Sequence, residues 1–319
     1  MEQILVWILF AVGLVLIIKG GDYFVDAASW IAETLHIPKF IIGATIVSLA
    51  TTLPELLVSL IAAAEGSVDM AVGNAVGSVT ANIGLIFAIL LAAAPPLITR
   101  KQLAPKGILM LAAAALLWVL SLNGSLTVLA SLGLLVIFAL FIWENIASGR
   151  KEMQDSAAEK AHNDKKTVIV NIVKFVLGAA GIVIGARLLV DNGTAIAVSL
   201  GVEQRIISLT MVAIGTSLPE FVTTITALVK KQGSLSVGNI LGANIIDMTL
   251  ILPLCSVISG GSLPISATSL SLDMPLCLGM GLLAVLPTLI SGKFRRWQGI
   301  VMLVIYAAYI VLLAVNPAL

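Results

Sequence analysis

The chain contains ten apolar segments that are each long enough to cross a lipid bilayer. A membrane-spanning helix needs roughly 20 mostly apolar residues. The sequence is 59% hydrophobic and only 11% charged, whereas a soluble domain is usually about a quarter charged. These features predict an all-α membrane protein of ten transmembrane helices, whose main partner is the lipid bilayer. The predicted spans are 4–24, 38–64, 69–94, 105–121, 125–146, 168–190, 205–229, 234–258, 268–290 and 296–316.

Basic residues are distributed unevenly over the loops between these spans. Lys and Arg accumulate in cytoplasmic loops, and one set of alternate loops keeps only Arg187 and Arg205. We therefore predict that both termini lie outside a cell membrane. The net charge of +1 argues against a nucleic-acid partner, which favours a strongly basic domain. The basic set of loops contains Lys19, Lys39, Arg100, Lys101, Lys106, Arg150, Lys151, Lys160, Lys165, Lys166, Lys230, Lys231, Lys293, Arg295 and Arg296.

The two halves of the chain repeat each other at a constant offset of 165 residues. The motif Thr-x-Leu-Pro-Glu ends at Glu55 in the first half and at Glu220 in the second. Five spans in each half predict two inverted-topology five-helix repeats, 1–146 and 168–319, joined by a polar cytoplasmic linker at 147–167. Many secondary transporters are built this way, with the ion site where the repeats meet. Other matched pairs are Gly20 and Gly185, Asp26 and Asp191, Thr45 and Thr210, Gly73 and Gly238, Asn74 and Asn239, Gly77 and Gly242, and Asn82 and Asp247.

The repeated motif places two carboxylates within predicted spans. Each carboxylate costs at least about 2.5–3.5 kcal/mol at a helix centre, so such residues usually have a function. The prolines Pro54 and Pro219 precede the two glutamates. Because proline lacks an N–H and disturbs the preceding turn, we expect the carbonyls near Ala50 and Gly215 to be free.

Threonines complete an oxygen-rich set around each glutamate. Thr51 precedes Glu55 by four residues, and Thr216 precedes Glu220 by the same spacing, which on a helix places both on one face. Calcium binds six to eight oxygen ligands in flexible geometry, whereas magnesium releases its waters reluctantly. No histidine or cysteine lies near the motif, which disfavours zinc and copper. Calcium is therefore the favoured ion.

A second motif, Gly-Asn-x-x-Gly, follows each glutamate and leads to a further polar residue. Its glycines are spaced four apart, which allows close helix approach, and each copy ends in an amide or acid, Asn82 or Asp247. Cys255 and Cys277 lie inside apolar segments, where we expect them to act as small packing residues.

At these motifs the sequence resembles the sodium/calcium exchangers of the cation/calcium exchanger superfamily, in their prokaryotic form. The run Ala-Ile-Gly-Thr-Ser-Leu-Pro-Glu at 213–220 matches the family signature, and the resemblance covers the whole chain, with its alpha-repeats at 43–82 and 208–247. It implies a plasma-membrane antiporter, not an enzyme, that exchanges calcium for sodium by alternating access. Spans one and six of the family slide against a core that holds the site. No cofactor is implied, and a monomer is expected.

The resemblance also implies the ligands of the transported ions. The central calcium ligands are Glu55, Glu220, Thr51 and Thr216. The other candidate ion ligands are Ser48, Thr52, Ser78, Asn82, Ala213, Ser217 and Asp247.

One departure from the family leaves the counter-ion open. Ala243 stands where the second half of the family commonly has a serine that helps to bind sodium. A proton/calcium exchanger of the same superfamily is therefore an alternative, since desolvation allows membrane carboxylates to carry protons. A cation channel is a further alternative, although the sequence contains nothing that resembles a pore loop.

Overall fold

A computed structural model describes residues 2–155, 164–200 and 215–316, and these residues form a bundle of apolar helices. Within them, eight helices are long and apolar enough to cross a membrane, and a ninth span results if one bent pair counts as one. The helices are α1 (Glu2–Leu35), α2 (Lys39–Ile42), α3 (Ser48–Thr51), α4 (Leu53–Ala64), α5 (Val68–Ala81), α6 (Ala88–Ala93), α7 (Arg100–Ser121), α8 (Val128–Asp155), α9 (Lys165–Ser199), α10 (Leu218–Val229), α11 (Gly233–Ile246), α12 (Leu252–Ile258), α13 (Met274–Ser291) and α14 (Arg296–Val315).

Several of these helices continue into one another through wider π-helical turns. The turns are Gly43–Val47, Asn82–Phe87, Asp247–Ile251 and Ser269–Asp273. Such turns are rare and often lie at functional sites. Two of them begin at Asn82 and Asp247, the residues that end the two Gly-Asn-x-x-Gly motifs.

The coarse prediction of a helical membrane protein is confirmed, with differences at the span ends. Helix α1 continues to Leu35 and α9 to Ser199, well beyond the predicted ends at 24 and 190. The predicted linker 147–167 is partly helical, because α8 extends to Asp155 and α9 begins at Lys165. The seventh predicted span, 205–229, is described only from residue 215 onward.

The helical fold also contains one short strand pair that the sequence did not predict. Strands β1 (Ser125–Thr127) and β2 (Ser262–Pro264) pair antiparallel, with Leu126 opposite Leu263. Both leucines are fully buried. The strands link the turns that follow α7 and α12, and they satisfy backbone groups that no helix includes.

Helices α1 and α9 pack against each other along a contact made of glycines. A Cβ atom at Gly20 would lie 2.8 Å from the backbone nitrogen of Ile182, and one at Gly178 would lie 2.6 Å from that of Phe24. Gly13 and Gly185 make the equivalent contact further along. Small residues of this kind let two helix backbones approach closely in a membrane.

The degree of burial separates this helix pair from the core of the protein. In their most apolar stretches, α1 is 22% and α9 is 17% buried, whereas the α5–α6 and α11–α12 segments are 78% and 83% buried. Helix α11 packs along the segment Lys39–Thr51 and also against α10. The Gly-Asn-x-x-Gly motif of α11 therefore lies at the centre of the molecule, whereas Gly73 of the motif in α5 is exposed. Helices α1 and α9 lie at the periphery.

Lys106 lies in the core although the sequence suggested a loop residue. Its side chain is 2% exposed and forms an ion pair with Glu144 of α8. The ammonium group also lies 5.4 Å from the centre of the Phe40 ring. A lysine is retained inside a membrane protein when a carboxylate and an aromatic face replace its water.

The glycine contact between α1 and α9 can be tested by adding a single methyl group. Gly178→Ala directs a Cβ into the backbone of α1, which no side-chain rotation relieves, so we expect a loss of about 1–3 kcal/mol in unfolding free energy. Gly279→Ala in α13 is the matched control, because no described atom lies within 4 Å of its Cβ position. Thermal unfolding in detergent measures both, and equal midpoints would contradict the packing account.

Candidate ion-binding site

The site begins at a break in the second predicted span. Helix α3 ends at Thr51, α4 begins at Leu53, and the chain bends by 43° between them. Pro54 has no N–H to donate to the carbonyl of Ala50, which leaves this oxygen without its helical partner. In a membrane, such a break is tolerated where it lines a cavity or is buried in protein. The predicted disturbance before Pro54 is thus present as a bend.

The break corrects the expectation that Thr51 and Glu55 share one face of a continuous helix. The Thr51 hydroxyl donates instead to Ser48 O at 3.3 Å or to Asn239 Oδ1 at 3.1 Å. It therefore bridges from the first motif to α11, a helix of the second half. The spacing of four residues did not reveal this, because the helix that it assumes ends at Thr52.

Glu55 and Glu220 occupy equivalent positions at the start of a helix. Glu55 lies in the first turn of α4, and Glu220 lies in the first turn of α10, each after a proline. The N-terminus of a helix carries partial positive charge that stabilises a carboxylate. Each proline thus lies at the start of a new helix, and the glutamate side chain lies at the positive N-terminus of that helix.

Three carboxylates come together inside the protein. Glu55, Glu220 and Asp247 are each only 1% exposed. The charges of Glu220 and Asp247 act on Glu55, and the charge of Glu220 acts on Asp247. Isolated buried charges of this kind are very costly unless they are paired, so the arrangement calls for cations.

The two halves also touch directly at the glutamates. The Thr52 hydroxyl lies 3.4 Å from Glu220 Oε1, across the interface between the repeated motifs. Asn74 of α5 donates to the backbone oxygen of Glu55 at 3.2 Å and to Ser59 Oγ at 2.9 Å. These contacts fix the first turn of α4 against α5, and with it the position of the Glu55 side chain.

Seven buried side-chain oxygens in this region have no hydrogen-bond partner among the described residues. Cations with oxygen ligands, such as calcium, bind atoms of this kind. Buried polar atoms are otherwise almost always hydrogen-bonded. The seven atoms are Oε1 and Oε2 of Glu55, Oε2 of Glu220, Oδ1 and Oδ2 of Asp247, Oδ1 of Asn82 and Oγ of Ser217.

Acidic ligands alone do not make this site. The described part of the chain contains no group of three or more His, Cys, Asp or Glu side chains placed to hold one metal ion. Each ion would therefore combine one or two carboxylates with amide, hydroxyl and carbonyl oxygens. Such mixed sites suit hard cations, including monovalent ones, and disfavour transition metals.

The remaining predicted ligands lie at different distances from this centre. Ser48 and Ser78 are buried, and Ser48 donates to Thr45 O at 3.1 Å while packing against Gly242. Thr216 is half-buried in the turn before α10. Ala213 lies outside the described residues.

Sequence reasoning gave too little weight to three asparagines that surround the site. Asn74 and Asn239 bond Glu55 and Thr51, respectively, and Asn244 bonds Asn82. The first two repeat at the offset of 165 residues and were noted as part of a packing motif. At that offset the residue equivalent to Asn244 is Val79, so the repeat did not mark Asn244 as a candidate site residue.

Comparison with known proteins identifies the family of this chain. The profile described as "Sodium/calcium exchanger protein" matches residues 5–147 and 170–315. This chain belongs to the sodium/calcium exchanger family. Among curated relatives, the uncharacterized membrane protein MJ0091 of Methanocaldococcus jannaschii is 32% identical, over 93% of this chain and 94% of its own. The sodium/calcium exchanger MaX1 of Methanosarcina acetivorans is 31% identical over 96% and 98%.

Solved structures extend the similarity to the fold. The sodium-calcium exchanger NCX_Mj, soaked with 2.5 mM Na⁺ and 10 mM Sr²⁺, matches with a TM-score of 0.84 and 31% identity. The match covers 97% of this chain and 99% of that one. The same exchanger soaked with zero Na⁺ and Ca²⁺ matches with a TM-score of 0.83. This family member is therefore a multi-pass membrane protein whose whole length follows a known exchanger fold.

The unpartnered oxygens predict that a hard divalent cation stabilises the protein. Calcium at 100 times its dissociation constant should add about 2.7 kcal/mol to the unfolding free energy, measured as a rise in the thermal midpoint in detergent. Asp247→Asn should reduce this rise, because it removes one of three buried charges. Asp273→Asn is the control, since Tyr309 and Ser269 already bond that carboxylate. An unchanged rise in Asp247→Asn would contradict the site.

Proposed function

We propose that this protein is a secondary active antiporter that exchanges calcium for sodium at a site between its two halves. The observation that carries the proposal is the symmetric burial of Glu55 and Glu220, each in the first turn of a helix and directly after a proline. Around them lie Asp247, Asn82 and hydroxyl oxygens that lack protein partners. These atoms match the ligand preference of calcium and suit sodium equally well.

The names of the relatives support the choice of these two ions. MaX1 is called a sodium/calcium exchanger, and NCX_Mj is called a sodium-calcium exchanger and was soaked with Na⁺, Ca²⁺ or Sr²⁺. Both align with nearly the whole of this chain. In this proposal the ions are transported substrates, and no resident cofactor takes part.

Exchange follows from the charge of the site. Glu55 and Glu220 neutralise either one calcium ion or several sodium ions, and they cannot serve both loads at once. Without a cation, the carboxylates are left uncompensated in a low-dielectric interior, which is costly. The passage of an empty site through an occluded state is thereby disfavoured, so movement of one ion requires return of the other.

Alternating access requires two equivalent conformations, and the internal symmetry supports them. The α1–α9 contact pairs Gly20 with Gly178 and Gly13 with Gly185, and the offset of 165 residues converts each pair into the other. We therefore propose ten spans as two inverted repeats, 1–146 and 168–319, joined by the segment 147–167. Following the basic loops, both termini lie outside a prokaryotic plasma membrane. The site serves one protomer, so a monomer suffices.

Proton coupling is the remaining alternative from the same superfamily. Ala243 is fully buried and offers no hydroxyl where its counterpart Ser78 does, so one oxygen is missing from the second half. MaX1 and NCX_Mj are named as sodium/calcium exchangers, however, and this does not favour protons. A channel would need an open polar path, whereas Glu55 and Glu220 are enclosed.

Neutralising either glutamate should abolish exchange. In proteoliposomes with an outward sodium gradient, we expect Glu55→Gln and Glu220→Gln to lower calcium uptake at least about a hundredfold, because each removes a charge that calcium needs. The control is Lys106→Met with Glu144→Leu, which replaces a buried ion pair away from the site by apolar side chains. Normal uptake in either glutamine variant would show that the site is wrongly assigned.

The counter-ion is identified by the gradient that drives calcium uptake. We expect a sodium gradient at constant pH to drive uptake by the wild-type protein, because the site's neutral oxygens suit sodium. A pH gradient in sodium-free buffer should then drive none. Uptake that depends on the pH gradient and ignores sodium would establish the proton-coupled alternative.

A further inference from the structure

The Asn82 side chain is held by one specific partner. Its amide nitrogen donates to Asn244 Oδ1 at 3.1 Å, and both residues are buried. Its own oxygen, Oδ1, has no hydrogen-bond partner among the described residues and belongs to the oxygen-lined site. The direction of one hydrogen bond therefore decides whether Asn82 offers the site an oxygen or an N–H group.

Asn244 is itself held in one orientation by Met110. The Asn244 amide nitrogen lies 3.6 Å from the Met110 sulfur, in donor geometry. A thioether accepts hydrogen bonds and has none to donate. The reversed Asn244 amide would place its oxygen against the sulfur and its N–H groups against those of Asn82. The order Met110, Asn244, Asn82 thus holds the Asn82 nitrogen on Asn244 and leaves the Asn82 oxygen free to accept from or bind another group.

The two repeats differ here in a way that chemistry explains. The counterpart of Asn82 is Asp247, and the counterpart of Asn244 is Val79. A carboxylate has two equivalent oxygens and presents one of them whichever way it turns. An amide has only one oxygen and presents it only when the other end is fixed. The first repeat carries the amide Asn82, and it is this side chain that has an orienting partner, Asn244.

We propose that Asn244 is a positioning residue that turns the Asn82 amide so that its oxygen binds the transported cation. This inference rests on the proposed exchange function and adds a residue to its site. It explains why a buried asparagine occurs at position 244 without an equivalent in the first repeat.

The test compares Asn244→Val in two backgrounds, with calcium binding to purified protein measured by titration calorimetry. In the natural background, we expect Asn244→Val to weaken binding about tenfold, since the freed amide no longer holds its oxygen toward the ion. In the Asn82→Asp background, the same change should alter the affinity by less than about twofold, because a carboxylate needs no orientation.

A purely structural role for Asn244 predicts a different result. Loss of packing would weaken binding by the same factor in both backgrounds. If the wild-type protein still shows sodium-driven calcium flux, that outcome overturns the positioning role and leaves the proposed function standing. Wild-type protein that neither binds calcium nor exchanges it would overturn the proposed function and this inference together. In the natural background, Met110→Leu should weaken calcium binding less than Asn244→Val does. In the Asn82→Asp background, it should not weaken calcium binding.

A second, independent inference starts from the ion pair between α1 and the end of α10. The Lys230 ammonium lies 2.7 Å from Asp26 Oδ1 and 3.3 Å from Asp22 Oδ1, and it donates to the backbone oxygen of Asp22 at 3.1 Å. Partial burial lowers the pKa of Lys230, but the bonds and charges of Asp26 and Asp22 outweigh it and raise the pKa. Lys230 is therefore charged at neutral pH.

The equivalent residues of the other half carry exchanged charges. By the offset of 165 residues, Lys230 corresponds to Glu65, Asp22 to Arg187 and Asp26 to Asp191. Glu65 and Arg187 are thus complementary in charge, as Lys230 and Asp22 are. In the described part of the chain, however, Glu65 forms no ion pair, and Arg187 lies 85% exposed beside Asp191, with 3.7 Å between Nε and Oδ2.

These two sets lie at different levels along the α1–α9 pair. Gly20 contacts Gly178 and Gly13 contacts Gly185, so the helices run antiparallel. Arg187 then lies opposite residue 11, about 16 Å along α1 from Asp22 at 1.5 Å per residue. In their most apolar stretches α9 is 17% and α1 is 22% buried, and among the described spans α14, also at 22%, equals α1. The pair therefore has few packing contacts to break when it shifts.

We propose that Lys230 with Asp22 and Asp26 forms one ionic latch, that Glu65 with Arg187 forms another, and that they close alternately as α1 and α9 shift against the core. This inference rests on alternating access in the proposed function. The structure holds the Lys230 latch closed and the Glu65 latch open. Exposed ion pairs are weak, each worth about a two- to fivefold change in an equilibrium, which suits contacts that must open in every cycle.

Cysteine cross-linking tests whether Glu65 and Arg187 meet. Glu65→Cys with Arg187→Cys, and Lys230→Cys with Asp26→Cys, are treated with a short bifunctional thiol reagent in sodium or in calcium. We expect conditions that increase cross-linking of one pair to decrease that of the other. The natural Cys255 and Cys277 are buried and should stay unreactive. A Glu65/Arg187 pair that never cross-links, in protein that still exchanges ions, would overturn the latch.

Charge reversal separates the latch from general surface charge. Glu65→Lys should slow exchange about two- to fivefold by repelling Arg187, and adding Arg187→Glu should restore it. Asp69→Lys makes the same change of charge at an exposed residue four positions further along the chain. It should leave the exchange rate unchanged. Equal slowing by Glu65→Lys and Asp69→Lys, without rescue, would overturn the latch. Wild-type protein that exchanges no ions would contradict the proposed function, and the latch with it.

Discussion

The structure depends on the cost of holding carboxylates where water cannot reach them. Glu55, Glu220 and Asp247 are almost fully buried, and within the described residues most of their oxygens have no protein partner. The helix N-termini at which Glu55 and Glu220 lie offset part of this cost. In the proposed function cations supply the rest, so we expect the protein to be most stable when loaded. That coupling of charge to occupancy would be the physical basis for exchange.

The sequence predicted the helical membrane fold and the burial of Glu55 and Glu220 because both follow from strong local constraints. Apolar length defines a span, and a carboxylate repeated beside a proline is too costly to be incidental. The ends of α1 and α9 were harder to predict, because Asp26 and Asp191 suggested interfaces while both helices continue past them. Lys106 was predicted to lie in a loop because its burial depends on Glu144, which is distant in sequence.

The details of the site depend on contacts between the halves, which no local pattern encodes. Thr51 was expected to face Glu55, but the break at Thr52 directs its hydroxyl to Ser48 and Asn239. Asn244 was missed because the repeat pairs it with Val79. The departures from symmetry are therefore as informative as the symmetry itself: they show where one half supplies what the other lacks.

The central claim is that one set of carboxylates binds either calcium or sodium, and never both. Equilibrium binding of radioactive calcium to the purified protein, measured as sodium is increased at constant ionic strength, tests this most directly. The account predicts that sodium displaces all of the bound calcium, with a Hill coefficient above one because several sodium ions replace a single calcium. Calcium that remains bound at saturating sodium would contradict it.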